Sequence, residues 1–406
     1  MKYSDFTKRI GGDSVDAWQI LYKGLERQKA GEDVIVLALG DPDFDTPQPI
    51  IDATFNSLNN GDTHYGDVSG DIELRDIIAN WHTETTGLKV NNDQVVVMNG
   101  AQCVLYATAQ CILEPGDEII IPEPMYTTYE AVFNSTGAKI VRIPMRPDNG
   151  FQVMAEDIAA AITTKTRAIL LNSPNNPSGA IFPRKTMEAV AKLCIQHDLW
   201  LISDEVYSTL TYEQAHFSPC SLPGMAERTV TINSLSKSHA MTGWRVGWAV
   251  CPEELAVHLA NVALCMLFGN PVFIQAAAKV ALTQALPELE LMKQTYKHRR
   301  DTLYELLKDV EGLECHLPEA GMFLMLDIRS TGLSSQEFAA LLLDKFDVAT
   351  LPCGAFGPSV EGYIRLSLSV PVETLVKAGR QIDDCMKYIS SRNDSKQNEK
   401  LVESIL

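Results

Sequence analysis

Short, nearly continuous apolar runs of strand-forming residues alternate along this chain with amphipathic stretches, and that rhythm leaves few architectures open. VIVLALG (34–40), QVVVMNG (94–100), EIIIP (118–122), RAILLNSP (167–174), LWLISDE (199–205), TVTINSLS (229–236) and GWAVC (247–251) are of this kind. Helical patterns such as CVLYATAQCIL and RKTMEAVAKLCIQHD lie between them. A strand that is apolar on both faces must be covered on both, which is what crossover helices do for a parallel sheet. The spacing therefore predicts an α/β fold around a mainly parallel sheet. GDEIIIPEP and LNSPNNPSG are loop-rich strand ends, where such sheets place ligands. A helical region follows over 253–312, interrupted at Pro271 and Pro287. GMFLMLDIR (321–329) and GYIRLSLS (362–369), with helices over 334–345 and 371–390, read as a smaller α/β layer. The 406 residues suffice for two such units.

The formal net charge of −18 argues against nucleic acid and anionic membranes as partners. Nine scattered cysteines without a CxxC pair favour reduced thiols and a cytoplasmic location. The opening residues are polar and no run of about 18 apolar residues occurs, so neither a signal peptide nor a membrane span is expected. The eight histidines show no metal-ligand spacing.

Four features carry chemistry. Lys237 follows a strand in S-x-S-K, after Ser234 and Ser236. Arg245 comes eight residues later, in GWRVGW. Asp204 ends LWLIS, with Tyr207 three residues on. Asn176 lies in NSPNNPSG. Singly each is weak: a lysine is usually a solvated charge, a strand-end aspartate is often a helix cap, and N-P-S-G is usually a turn. Together they fit pyridoxal phosphate, which needs an amine to join it, an acid facing its pyridine nitrogen, donors to its 3′-oxygen and a phosphate cup. Lys237 supplies the amine, Asp204 the acid, Tyr207 and Asn176 the donors, and Arg245 with Ser234 and Ser236 the cup. Ala101 and Gln102, opening a helix after a strand, add an anion site.

The S-x-S-K-x7-R spacing, N-P-x-G, D-E-x-Y and the late YIRLS resemble the class I/II aminotransferases of fold type I, over about residues 5–390. The resemblance implies a large domain with a mainly parallel sheet of seven-stranded type covered by helices, and a smaller α/β domain. The boundaries it suggests are 1–45 for an N-terminal arm and part of the small domain, 46–285 for the large domain, 286–390 for the small domain and 391–406 for a disordered polar tail. It implies that Tyr126 stacks on the cofactor ring and that Arg365 clamps the substrate α-carboxylate, with Asn176 and the backbone of Gly40. It further implies a homodimer with shared sites, in which Tyr65 reaches the other subunit's cofactor phosphate.

MKYSDFTKRI, THYGDVSG, NGAQCVLYA and EPMYTTYEAVF are similar to the branch of that family that passes the amino group of arginine to pyruvate. The partners so implied are a small amino acid and a 2-oxo acid. An aspartate or aromatic aminotransferase, a carbon–sulfur β-lyase using the same lysine and arginines, and a non-catalytic cofactor-binding module are the alternatives. Asp16 and Asp67 are the acids expected to meet a substrate guanidinium, each equally readable as a loop acid. Trp244, Trp248, Met241 and Met266 read as packing residues, and KHRRD (297–301) as a solvated helix face.

Overall fold

In a computed structural model of the protein, residues 1–11 and 15–405 are described, except for the side chains of 15–17 and of 393 onward. Thirteen strands are present among them: β1 Ile35–Val36, β2 Val95–Met98, β3 Glu118–Glu123, β4 Lys139–Pro144, β5 Thr166–Asn172, β6 Trp200–Asp204, β7 Thr229–Ser234, β8 Gly247–Val250, β9 Glu314–Cys315, β10 Phe323–Asp327, β11 Val348–Ala349, β12 Leu351–Pro352 and β13 Tyr363–Ser367. The large sheet has the order β2-β8-β7-β6-β5-β3-β4. Its neighbours run parallel except at β8, which is antiparallel to both β2 and β7.

Alternate residues of these strands feed different cores. Val96 and Met98 of β2 pack with Ile119 and Ile121 against the helices Ala101–Ile112 and Glu253–Leu267. Val95 and Val97 face the helices Ile72–Thr86 and Val272–Thr283. Farther along the sheet, Ile120, Ile169 and Leu171 pack on the helix Arg184–His197. Both faces are buried, which is why the runs read as continuously apolar. The antiparallel sheet β12-β13-β10-β9 forms the second layer. It packs on the helices Pro287–Leu307, Ser335–Phe346 and Val372–Ile405.

The large sheet has seven strands, but not the seven apolar runs of the sequence. Of VIVLALG only Ile35–Val36 is strand, and it pairs in parallel with Val348–Ala349. The seventh member is β4, KIVRIP, at the sheet edge and mostly half-buried or exposed, so it lacks the apolar signature. The segment from 391, expected to be disordered, is helical in its backbone to Ile405 and contains neither Pro nor Gly. KHRRD is not a solvated face. Arg299 and Arg300 are 6% and 2% exposed, paired with Asp43 and Glu213 respectively. Met241 and Trp248 are buried, whereas Met266 is 36% exposed.

Candidate active site

The strand order brings three chain-distant polar residues to one edge. Asn172, Asp204 and Ser234 are the last residues of β5, β6 and β7, adjacent strands near the middle of the sheet. They line a cavity of about 180 Å³ together with Ala101, Gln102, Tyr126, Asn176, Tyr207, Ser236, Lys237, Thr242 and Arg245. Such a crevice beyond the carboxyl ends of strands is the usual ligand position in α/β sheets.

Asp204 is 5% exposed. It accepts a hydrogen bond from the Tyr129 hydroxyl at 2.6 Å and one from the Val206 N–H at 3.3 Å. Burial nevertheless pushes its carboxyl up to about 6, against those hydrogen bonds. Lys237 donates from Nζ to the Gly40 carbonyl at 2.5 Å. Burial, helped by the charges of Arg365 and Arg245 and opposed by Asp41, lowers its amine to about 8. Burial also pushes the Tyr207 phenol upward, so it stays a hydroxyl donor, and no bond occupies that hydroxyl among the described residues. Tyr126 meets Tyr129 edge to face at 5.6 Å between ring centroids.

Two guanidiniums here have no carboxylate within ion-pair distance among the described residues. Arg245, in left-handed backbone at φ 54°, donates only to the Thr242 carbonyl, at 2.9 Å. Beside it the helix Ala101–Ile112 begins without a side-chain cap, leaving its first N–H groups to whatever enters. Gly100 precedes that helix at φ 90° and ψ 161°. A Cβ there would come within 2.5 Å of Arg245 Nη2. Arg365 is 3% exposed and lies 3.9 Å above the Phe323 ring. It donates to Asn176 Oδ1 at 3.1 Å and to the Ala38 carbonyl at 2.8 Å. Burial lowers even this guanidinium to about 10. A buried cation without an anion is costly, so the arrangement suits an incoming carboxylate.

Gly40 joins the two halves: its carbonyl meets Lys237, and a Cβ on it would lie 2.7 Å from the Phe323 ring and 3.8 Å from Arg365 Nη2. The donor set fits a flat heterocycle with a phosphate: an uncompensated arginine beside free helix N–H groups, an acid that burial has left without a cation, and a lysine near neutrality.

Of the residues expected to bind the cofactor or the substrate α-carboxylate, all but Tyr65 are in or against this cavity. Tyr65 is 84% exposed and meets Phe268 edge to face at 4.9 Å, lining a different cleft. Asp67 accepts from the Ser69 N–H at 2.7 Å in a tight turn and lines a cleft near Tyr65, apart from Lys237. The side chain of Asp16 lies outside the described residues. Sequence reasoning missed Tyr129, which sits three residues past Tyr126 in a quoted motif. It also missed Asn172, which donates to the Asp204 carbonyl and accepts from the Asn176 N–H. Thr242 was missed as well.

The profile of the family described as aminotransferase class I and II matches residues 32–382. The arginine–pyruvate transaminase AruH of Pseudomonas aeruginosa is 57% identical over 385 residues, covering 95% of this chain and 98% of that protein. An aspartate aminotransferase of Musicola paradisiaca is 36% identical, covering 98% of each. Among solved structures, Thermus thermophilus aspartate aminotransferase with maleate superposes with a TM-score of 0.90 at 33% identity, covering 95% of this chain and all of that one.

Proposed function

The chain belongs to the class I and II aminotransferases, and from that premise we propose that it transfers the α-amino group of L-arginine to pyruvate, giving 5-guanidino-2-oxopentanoate and L-alanine. It is a transaminase dependent on pyridoxal 5′-phosphate. The observation that carries the substrate assignment is 57% identity over 95% of the chain with a protein of that name, against 36% for the aspartate aminotransferase above.

Bound pyridoxal phosphate supplies an electron-accepting ring that stabilises the charge left when the substrate Cα–H bond breaks. Lys237 would hold the cofactor, and an amine lowered to about 8 is suited to moving the substrate proton. Asp204 would face the ring nitrogen. Tyr207 would donate to the 3′-oxygen, and so would Asn176, whose Oδ1 is engaged by Arg365 while its amide NH₂ has no partner among the described residues. Ala101, Gln102, Ser234, Ser236 and Arg245 would hold the phosphate, and Tyr126 would pack against the ring. Arg365 grips the α-carboxylate two-pronged, with Gly40 and Asn176 beside it.

We further infer a cytoplasmic homodimer. All nine cysteines are free thiols, and the exposure of Tyr65 supports a reading in which a second copy covers it. No described helix is long and apolar enough to cross a membrane.

A donor panel with pyruvate tests the reading. Alanine should form from arginine at least about tenfold more efficiently than from aspartate or phenylalanine, a difference of about 1.4 kcal/mol in transition-state binding. The reverse order overturns the arginine assignment. Pyruvate and ammonia released from cystathionine without an acceptor indicate the β-lyase.

A further inference from the structure

The loop after Gly40 carries three carboxylates, Asp41, Asp43 and Asp45, before the helix Gln48–Asn59. Asp43 is neutralised by Arg299, which reaches both of its oxygens at 2.7 and 2.8 Å. Asp41 differs from Asp43. It has no cation within ion-pair distance among the described residues. What holds it is the Thr242 hydroxyl, which donates to Oδ1 at 2.7 Å and leaves Oδ2 free. Thr242 lines the Lys237 cavity, and its carbonyl accepts from Arg245. Asp41 is thus an exposed, uncompensated anion fixed by one neutral donor at the rim of the site.

Its neighbour fixes where that rim lies relative to a substrate. Gly40 touches Lys237 through its carbonyl and stands against Arg365 Nη2. An amino acid with its carboxylate on Arg365 and its nitrogen at Lys237 therefore lies along Gly40, one residue from Asp41. Successive Cα atoms are about 3.8 Å apart, well within the length of an arginine side chain. The field of Asp41 already reaches the reacting end of the site, where it opposes the lowering of Lys237.

Resting on the arginine–pyruvate reading above, we propose that Asp41 receives the distal guanidinium of the donor on its free oxygen, while Thr242 holds the other. Because the contact is at the rim, the guanidinium keeps part of its water and the donor avoids a full desolvation cost. Asp41, rather than Asp67 or Asp16, is then the residue that selects a basic donor.

The test compares the parent with Asp41→Asn and Asp41→Glu, using L-arginine, L-citrulline and L-methionine with pyruvate. Citrulline keeps the length of arginine with a neutral end. Each neutral compound is measured as donor or, where turnover is slow, as inhibitor against arginine. Asp41→Asn should raise the arginine KM roughly tenfold, the size of one charge-assisted hydrogen bond, with kcat and both neutral compounds within about twofold. Asp41→Glu should recover part of the loss. The parent's arginine KM should rise with salt while that of Asp41→Asn stays flat. Equal losses on all three compounds overturn the proposal, because Asp41 then only holds the Thr242–Arg245 segment. An unchanged arginine KM overturns it too. A parent enzyme that uses methionine but rejects arginine overturns the donor assignment and this inference together, and that outcome is seen before any variant is made.

Discussion

Folding withdraws Asp204 from water, so the native protein keeps its proton up to about pH 6, whereas the unfolded chain releases it near 3.8. Between those values the native state binds more protons than the unfolded one, and stability falls as pH rises through the window. Cofactor-free Asp204→Asn, neutral throughout, should therefore equal or exceed its parent in thermal stability near neutral pH, by up to about 3 kcal/mol. The advantage should vanish below about pH 4, where both chains carry a neutral group. A clear loss of Tm at neutral pH would count against this. In the loaded enzyme the same change should lower kcat by about a hundredfold or more, since the contact strengthens as charge develops. For Lys237, acylation of the cofactor-free protein should rise through a midpoint near pH 8, not at the ordinary 10.5. Borohydride reduction of the loaded enzyme should leave its label on Lys237, and a label on another lysine would remove it from the role. These residues were legible in sequence because each follows a strand inside a short motif. Tyr129 was not, because its partner Asp204 is 75 residues away. Arg299 and Arg300 were misread for a like reason. Periodicity gives the face a residue occupies but not what covers that face, and their acids lie 256 and 87 residues off.

Elements were read well where both faces are buried and poorly where one is wet. The strands β2, β3, β5, β6, β7 and β8 fall inside their apolar runs to within a residue or so, whereas β4 was invisible because solvent spares its polar residues. VIVLALG misled in the opposite direction: Leu37 and Ala38 are fully buried, yet only two residues of the run take a ladder register. The element that shapes the cavity most is the helix Ala101–Ile112, through the residue before it. Gly100 occupies backbone that only glycine adopts freely, and its missing Cβ leaves room for Arg245. Gly100→Ala should weaken cofactor retention about tenfold or more, from backbone strain of roughly 1–3 kcal/mol and a displaced guanidinium. Equilibrium dialysis of the cofactor measures this, and unchanged affinity would show that the arginine tolerates displacement.

At the scale of the whole molecule, the site draws on both layers, the cavity from the large one and Arg365 from the second, yet Tyr65 and Phe268 stay exposed on the large one. If Tyr65 completes the neighbouring copy's site, Lys237→Ala and Tyr65→Ala chains should each be inactive alone. Mixed after unfolding and refolding, they should recover about a quarter of the parent activity, because half the dimers are mixed and each holds one intact site. No recovery, with heterodimers verified by mass, would place Tyr65 outside any shared site. The two-layer plan was legible from the change of texture after residue 320, whereas the closeness of Gly40 to both Lys237 and Arg365 was not, because it depends on how the layers meet. That meeting has a consequence for a chain still being made. Every lining residue of the Lys237 cavity has left the ribosome once Arg245 has emerged, but Arg365 follows more than a hundred residues later. A nascent chain can thus form its cofactor-sized hollow while still blind to amino acids, and it acquires a grip on substrate only when synthesis is almost complete.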